Sequence, residues 1–435
     1  MADPGAIRFS LDGDALEGQE GDTVAAALLR AGVTTFTRSI KYHRPRGPFC
    51  FAGSCGQCLL RVEGVPSLLS CRTRLTEGMR CERQNAPLGA DNDLFRATDF
   101  LFPSGLDHHH LMIKSRLLGR VTLEVARRLA GLGELPDKPS PQRPGRMERA
   151  QLVVIGAGPA GLSAALSAAE EGAQVVLLER DPLSGGAVRL GLDPDAPDLG
   201  WVSAQEASLV RLGVRLVRNA EVVGLYTNDA AGPGRALLAV RGPERLDALA
   251  ADAVVVATGG TPQPLPFPGV DRPGVYAARG LLTLFAQTGV RVGKSLAVVG
   301  EGEELRNCAA ALERAGYVLA RMTSGTPLRA RGNPVRELDL EGERVRCDAV
   351  ALAHLPAPLH DLASSCGAQT HYVPELNGFP LRIDEEGRTT VDFIWAAGRA
   401  AGEAGGRAAL SGARAGRGAA EALRTKASAA QLAAT

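Results

Sequence analysis

Four of the eight cysteines of this 435-residue chain fall at Cys50, Cys55, Cys58 and Cys71, a C-x4-C-x2-C-x12-C spacing. Three thiolates from one tight loop and a fourth from downstream form the ligand pattern of a 2Fe–2S cluster. Gly53 and Gly56 lie between the ligands, where a residue without Cβ lets backbone N–H groups approach the sulfurs. A zinc site and four free thiols are the alternatives, but zinc sites usually pair two short knuckles, whereas here three cysteines crowd one loop. Cys81, Cys308, Cys347 and Cys366 have no partner at motif spacing and are expected as buried structural thiols. Lys41, Arg44, Arg46, Arg61 and Arg72 flank the ligands in sequence; a solvated basic face is the plain reading and is the one expected of Arg61. An arginine ~7 Å from the cluster, at an effective dielectric of ~20, would favour the reduced form by roughly 2 kcal/mol. For one electron that raises the potential by about 0.1 V.

A second constellation begins at the apolar run Leu152-Val153-Val154-Ile155, which leads into Gly156-Ala157-Gly158-Pro159-Ala160-Gly161 and a helical pattern. A further apolar strand, Val175 to Leu178, ends in Glu179. This is G-x-G-x-x-G in a βαβ context with an acidic residue about twenty positions on, the signature of a bound dinucleotide. Gly156 makes the tight turn, Gly158 lets a pyrophosphate reach the helix N-terminus, Gly161 lets helix pack on strand, and Glu179 is placed to accept from a ribose hydroxyl. Val254 to Gly260 reads as a strand running into an Ala257-Thr258-Gly259 turn, Gly185-Gly186 follows the first unit, and Ile394 to Gly398 reads as a late strand. Together these resemble the two-dinucleotide-binding, glutathione-reductase-like flavoproteins across roughly residues 150–422. That resemblance implies FAD, with NAD the alternative, and cofactor contacts at Gly156, Gly158, Pro159, Ala160, Gly161, Glu179, Arg180, Gly186, Val222, Thr258, Gly259 and Gly398. In that class the late strand ends in Gly-Asp, the Asp bonding the FAD ribityl chain; here Arg399 follows Gly398. A second unit at Leu296 to Gly302 has Leu305 at its third glycine position, and Glu301, Glu303 and Glu304 are expected to face any pyrophosphate and oppose it. It reads as a degenerate nucleotide lobe without C-x-x-C, which argues against disulfide reduction.

The elements that must hold these groups fall into several segments. The length implies two or three domains. Residues 1–86 read as a small mixed domain: Ile7, Phe9 and Leu11 alternate with polar residues, Asp22 is placed to cap a helix carrying Val24, Ala27 and Leu28, and short strands are expected at Leu59 to Val62 and Ser67 to Ser70. Residues 87–147 form a helical connector, with a stretch at Val121 to Leu132, and a Pro-rich linker. Residues 148–423 carry the strand–turn–helix alternation of a parallel α/β sheet, with the degenerate lobe at about 276–346, and residues 424–435 are expected as a flexible tail. The fold class is therefore α+β followed by α/β, a β-grasp ferredoxin-like domain preceding a two-nucleotide Rossmann-type domain. A net charge of +1 argues against nucleic acid as a partner. No export signal and no membrane-length apolar run is evident, and the expected location is cytoplasmic. His108, His109 and His110 cannot all face one metal from a helix or a strand, so loop or packing roles are expected.

The segment Arg38-Ser39-Ile40-Lys41-Tyr42-His43-Arg44-Pro45-Arg46-Gly47, the stretch Arg127 to Pro136 and the Gly- and Ala-rich end 396–416 resemble the α-subunits of the heteromeric sarcosine oxidase family. That broad family includes opine oxidases, dye-linked proline dehydrogenases and the bacterial hydrogen cyanide synthase. The resemblance implies an electron-transfer subunit of a flavin-dependent amine or amino-acid dehydrogenase or oxidase, with sarcosine, proline, glycine or an opine as substrate. It implies substrate oxidation at a glycine-oxidase-like FAD β-subunit, FMN at a subunit interface in some members, and a separate electron acceptor. The sequence departs from sarcosine oxidase α in its four-cysteine N-terminal module and in leaving no room for a folate-binding C-terminal domain. No Cys follows Cys366, so the Cys-rich C-terminal module of several relatives is also absent from this sequence. Two other classes compete: a self-contained NAD(P)H-dependent FAD/2Fe–2S reductase serving an oxygenase, and a scaffold holding a structural nucleotide. The iron–sulfur subunit of a molybdenum hydroxylase would need a second cluster module.

Overall fold

The computed structural model describes residues 5–39, 44–84, 135–136, 143–192, 197–227 and 234–434. Ile40 to His43, the three adjacent histidines His108 to His110, and the helix expected at Val121 to Leu132 lie outside the described residues. The chain divides into two compact units, Met1–Ser140 with Pro264–His354, and Pro141–Gln263 with Leu355–Thr435.

The two larger sheets of the first unit differ in character. Its N-terminal sheet has five strands in the order Asp14–Gln19, Ala6–Leu11, Met79–Arg83, Leu59–Val62, Val65–Leu69. Ala6–Leu11 and Met79–Arg83 run parallel, with Phe9 opposite Met79, and the flanking pairings are antiparallel. That is the β-grasp order, and one helix, Val24–Arg30, lies between the hairpins with Val24 to Leu29 all buried. Its cap is Thr23, whose hydroxyl accepts from Ala26 N at 3.2 Å. Asp22, expected in that role, instead takes the Arg30 guanidinium at 3.1 Å and the Gln19 amide at 3.0 Å. A buried carboxylate with an arginine in reach is bound more strongly by that charge than by one helix amide.

The other sheet of this unit is parallel, in the order Val275–Ala277, Ala349–Ala353, Leu296–Gly300, Leu319–Ser324. Helices Ala278–Thr288 and Gly302–Arg314 belong to it, and an antiparallel meander runs from Arg329 to Arg346. This is the degenerate lobe, reaching beyond residues 276–346 at both ends.

The second unit is a seven-stranded sheet. Strands Arg215–Val217, Val175–Leu178, Met147–Ile155 and Leu246–Val256 run parallel, Ile394–Ala396 joins Leu246–Val256 in parallel, and Ala236–Arg241 and Glu221–Thr227 extend it antiparallel. Leu152, Val153 and Val154 are wholly buried, as the continuous apolar run requires of a strand covered on both faces. Helix Pro159–Glu170 lies on one face beside Arg407–Ala434. The latter continues through the residues expected as a frayed tail from Arg424, because Ala, Leu, Gln and Lys favour helix. Helices Pro159–Glu170 and Arg407–Ala434 meet at backbone distance. A Cβ on Gly412 would lie 1.9 Å from Ala160 O, and one on Gly416 2.2 Å from Ala164 O. Among the described residues no helix is long and apolar enough to cross a membrane.

Candidate functional site

The loop between Cys50 and Cys58 turns through the left-handed region three times, at Phe51 (φ 49°), Gly53 (φ 77°) and Gly56 (φ 63°). Those turns wrap the chain around its own sulfurs. The four thiols fall into two neighbouring pairs, Cys50 beside Cys55 and Cys58 beside Cys71. Within each pair the neighbouring sulfur holds one thiol below its ordinary value, at Cys50 and Cys58, and, with burial, pushes its partner up. Backbone amides point at the sulfurs as well. Ala52 N donates to Cys50 Sγ at 3.4 Å, with Ser54 N beside it, Gln57 N serves Cys55 and Gly53 N serves Cys71. Cys58 is fixed from behind, since its carbonyl accepts the Ser70 hydroxyl at 2.6 Å and the Ser70 amide at 3.1 Å.

Two pairs of soft ligands suit two irons bridged by sulfide, each iron taking one pair. Among the described residues no three His, Cys, Asp or Glu side chains converge where a single ion could sit. Thiols crowded on one loop, with a backbone amide facing a sulfur, fit a two-iron cluster. N–H···S bonds disperse the negative charge of the sulfurs and ease the addition of an electron.

The flanking cations are more constrained than a solvated face. Arg44 pairs with Asp271 at 3.6 Å, and the Arg72 stem packs 3.1 Å from where a Gly53 Cβ would be. Arg61, the residue most expected in solvent, has a largely covered side chain that donates to Gly64 O at 2.8 Å and lies 3.8 Å from Glu82. A turn carbonyl and a carboxylate within reach draw the guanidinium inward while the stem covers the sheet. Lys41 lies outside the described residues. The remaining cysteines are screened by burial, which pushes Cys81 up to about 12, Cys347 up to about 11, and raises Cys308 and Cys366.

In the second unit, Gly156 (φ 99°) ends the strand Met147–Ile155, and a Cβ there would meet Ala257 O at 2.5 Å. A Cβ on Gly161 would sit 1.7 Å from Gly156 O, so helix and strand touch through these glycines. Gly158 behaves differently: a Cβ there meets nothing within 4 Å. It caps Pro159–Glu170 without any side-chain hydrogen bond, which leaves the first-turn amides facing open space. A pyrophosphate would fit such an N-terminus, and the residues present suit the ADP half of a dinucleotide. Gly186 approaches from the far side, where a Cβ would lie 3.2 Å from Gly158 Cα, and Gly398 abuts the Ala160 side chain. The Gly398 amide donates to Ser411 Oγ at 3.1 Å. Gly259 (φ 75°) is also open, while the Thr258 hydroxyl is used by Leu359 O at 2.6 Å. Arg180 stands half-buried beside Glu179, and Val222 is buried in the sheet core.

Glu179 does more than its offset from the glycines implies. Its Oε2 accepts from Ala157 N at 2.7 Å and its Oε1 from Asp181 N at 2.8 Å, in a buried setting that raises its pKa. It therefore locks the glycine loop, and one lone pair on each oxygen remains for a ribose hydroxyl. Arg399 stands where the flavoprotein class has Asp, and its guanidinium donates to Pro356 O at 2.9 Å and Leu376 O at 3.0 Å.

The degenerate lobe corrects one expectation. Glu301 and Glu303 are exposed, but Glu304 turns inward and accepts from Arg279 Nε at 2.6 Å and Nη2 at 2.8 Å. Cys308 Sγ donates to the same carboxylate at 3.3 Å. Neither Arg279 nor Ser411 stands out in the sequence. An arginine inside an otherwise apolar helix start, and a G-x3-G pair at Gly412 and Gly416, were the available signals.

Residues 5–86 match the family described as 2Fe-2S iron-sulfur cluster binding domain, and residues 150–339 match pyridine nucleotide-disulphide oxidoreductase. The alpha subunit of sarcosine oxidase from Rhizobium meliloti is 30% identical over 417 residues, covering 86% of this chain and 42% of that protein. The corresponding subunit of opine oxidase from Agrobacterium tumefaciens is 29% identical over 314 residues, 59% of this chain and 62% of that one. The chain thus spans less than two thirds of the length of these relatives. Among solved structures, L-proline dehydrogenase from P. horikoshii superposes with a TM-score of 0.73, covering 96% of this chain and 73% of that one at 21% identity, a likeness of fold.

Proposed function

From the premise that this chain is a homologue, over most of its length, of the α-type subunits of sarcosine oxidase and opine oxidase, with an N-terminal 2Fe–2S domain and a flavin- or nicotinamide-linked domain behind it, we propose that it is the electron-transfer subunit of a heteromeric flavin-dependent amine or amino-acid oxidoreductase. The observation that carries this reading is the C-x4-C-x2-C-x12-C set on a loop that turns through the left-handed region at Phe51, Gly53 and Gly56, with the Ala52 amide facing the Cys50 sulfur. Such a site accepts one electron and does no bond chemistry.

Oxidation of a carbon–nitrogen bond to an imine releases two electrons and two protons. The substrate side of that reaction is assigned to a partner, a glycine-oxidase-like FAD protein. In this chain the cradle at Gly156, Gly158 and Gly161 is assigned to an adenine dinucleotide, FAD before NAD, with Pro159, Ala160, Glu179, Arg180, Gly186, Val222, Thr258, Gly259 and Gly398 around it. A flavin, when bound, supplies the conversion of a two-electron donation into single-electron steps; FMN at a subunit interface is the other source of that chemistry. Cys50, Cys55, Cys58 and Cys71 would hold the cluster, which when bound would supply one-electron transfer to a separate acceptor.

Co-expression with a neighbouring glycine-oxidase-like chain tests the division of labour. A stable heteromer should reduce an artificial dye with sarcosine, proline, glycine or an opine, and the 435-residue chain alone should not. Brisk amine-dependent dye reduction by the isolated chain would refute it. Reduction by NADH without a partner would establish the self-contained reductase instead, the reading that the pyridine nucleotide family match favours.

A further inference from the structure

The segment that carries the first cluster ligand is packed into the degenerate nucleotide lobe. Phe49 and Cys50 belong to one buried apolar cluster with Phe267, Val275, Ala277 and Val299, and Ala52 and Cys55 pack against it. Ala277, the cap of helix Ala278–Thr288, donates its amide to Phe49 O at 3.1 Å. Tyr276, itself buried, places its ring 6.1 Å from that of Phe51, the residue following the first ligand. In the first turn of the helix stands Gly280, where a Cβ would lie 2.8 Å from Phe49 O, 2.9 Å from Cys50 O and 3.1 Å from the Cys50 carbonyl carbon. All three are backbone atoms and cannot swing aside. Glycine weakens a helix by about 1 kcal/mol relative to alanine, and this contact supplies the reason for one here.

The same lobe turns its remaining nucleotide-type features to internal use. Gly300 lets its strand approach Ala353 O, where a Cβ would meet that oxygen at 2.1 Å, and the first-turn carboxylate of Glu304 is taken by Arg279, next to Gly280. We propose that the second, nucleotide-type lobe is the seat of the cluster loop, and that Gly280 is a positioning residue that sets the conformation of the Cys50 backbone and so the environment of the cluster. This rests on the reading that the four cysteines hold a 2Fe–2S cluster.

The experiment uses the full chain, purified anaerobically, as wild type, Gly280→Ala, Tyr276→Ala and Gln287→Ala, the last on the same helix away from the loop. Iron and sulfide content of the wild type tests the underlying reading by itself, before any variant is considered. With the cluster present, Gly280→Ala should shift the g-values of the reduced cluster and its midpoint potential. It should also shorten the cluster's half-life against an iron chelator about tenfold, equivalent to about 1.4 kcal/mol and within the usual cost of overpacking. Gln287→Ala should match the wild type in all three measurements. A Gly280→Ala protein with unchanged g-values, potential and half-life overturns the inference. Should Gly280→Ala fail to fold, judged by circular dichroism, Tyr276→Ala decides in its place: faster cluster loss with an altered signal supports the seat, and wild-type behaviour overturns it.

Discussion

Replacing Gly158 by valine should separate ligand binding from folding, because the three glycines of the cradle are constrained in different ways. At Gly158 the backbone is extended (φ −75°) and a Cβ meets nothing within 4 Å, so the folded protein has room for the side chain. The cost to the apoprotein is that of a poorer helix cap, about 1 kcal/mol. The side chain fills the space a pyrophosphate would occupy, and binding should fall below detection. At Gly161 the same kind of change puts Cβ 1.7 Å from Gly156 O, and the cost of overpacking should reach about 3 kcal/mol or more with or without ligand. A dinucleotide at a hundred times its Kd stabilises the folded state by about 2.7 kcal/mol. For a unit of this size that corresponds to roughly 5–10 °C in Tm. Wild type should therefore lose that increment when stripped of ligand, Gly158→Val should show only the stripped Tm, and Gly161→Ala should melt lower still. Mass spectrometry of a denatured extract counts the bound dinucleotide, and differential scanning calorimetry gives the Tm. Stoichiometric dinucleotide in Gly158→Val, or an apoprotein as unstable as Gly161→Ala, would refute the assignment of the open space to a pyrophosphate.

Cys58→Ser should remove or severely disturb the 2Fe–2S electron paramagnetic signal while Cys308→Ser leaves it intact, because Cys308 is bonded only into the Glu304 pair of the lobe; a stoichiometric zinc content with no iron in the anaerobic wild type would contradict the cluster itself. Glu304→Gln should destabilise the first unit by about 3 kcal/mol in urea unfolding, because it leaves the Arg279 charge covered without its carboxylate. The pair Arg279→Met with Glu304→Leu should recover most of that loss, and a double variant as unstable as the single one would show that the carboxylate matters for some other contact.

The cysteine spacing and the first glycine loop could be read because each is a local constellation: residues that must share one loop, and glycines that must stand at fixed offsets around a turn. What lay hidden depends on partners far away in sequence. Glu304 reads as a charge facing a phosphate, and only the fold shows Arg279, twenty-five positions away, drawing it inward. Asp22 reads as a helix cap because Asp caps helices, yet Arg30 in space outcompetes the nearby amide. Glu179 is found by its offset from the glycines, but its two amide bonds to Ala157 and Asp181 depend on how strand and loop come together. Gly280 is an isolated glycine in a helical pattern, which signals a close approach without naming what approaches.

Arg399 bears on which dinucleotide the proposed cradle would hold. In the flavoprotein class that the fold resembles, the residue after the late glycine is an aspartate that bonds the ribityl chain. Here the position carries a cation whose guanidinium bonds the carbonyls of Pro356 and Leu376. Those bonds tie the segment from Pro356 to Leu376 to the turn that follows Ile394–Ala396, which is a structural task an aspartate could not perform, since it has no donor when ionised. The ADP-binding half of the site is independent of this exchange: Gly156, Gly158, Gly161 and Glu179 form a cradle with its own hydrogen bonds and its own open space. The features that would recognise adenosine and pyrophosphate thus stand apart from residue 399, where the aspartate that fixes the remote half in the flavoprotein class is replaced. If FAD is bound, its ribityl hydroxyls must be met by something other than residue 399, and Arg399→Asp should then leave dinucleotide content unchanged while lowering the stability of the second unit through loss of the two carbonyl bonds.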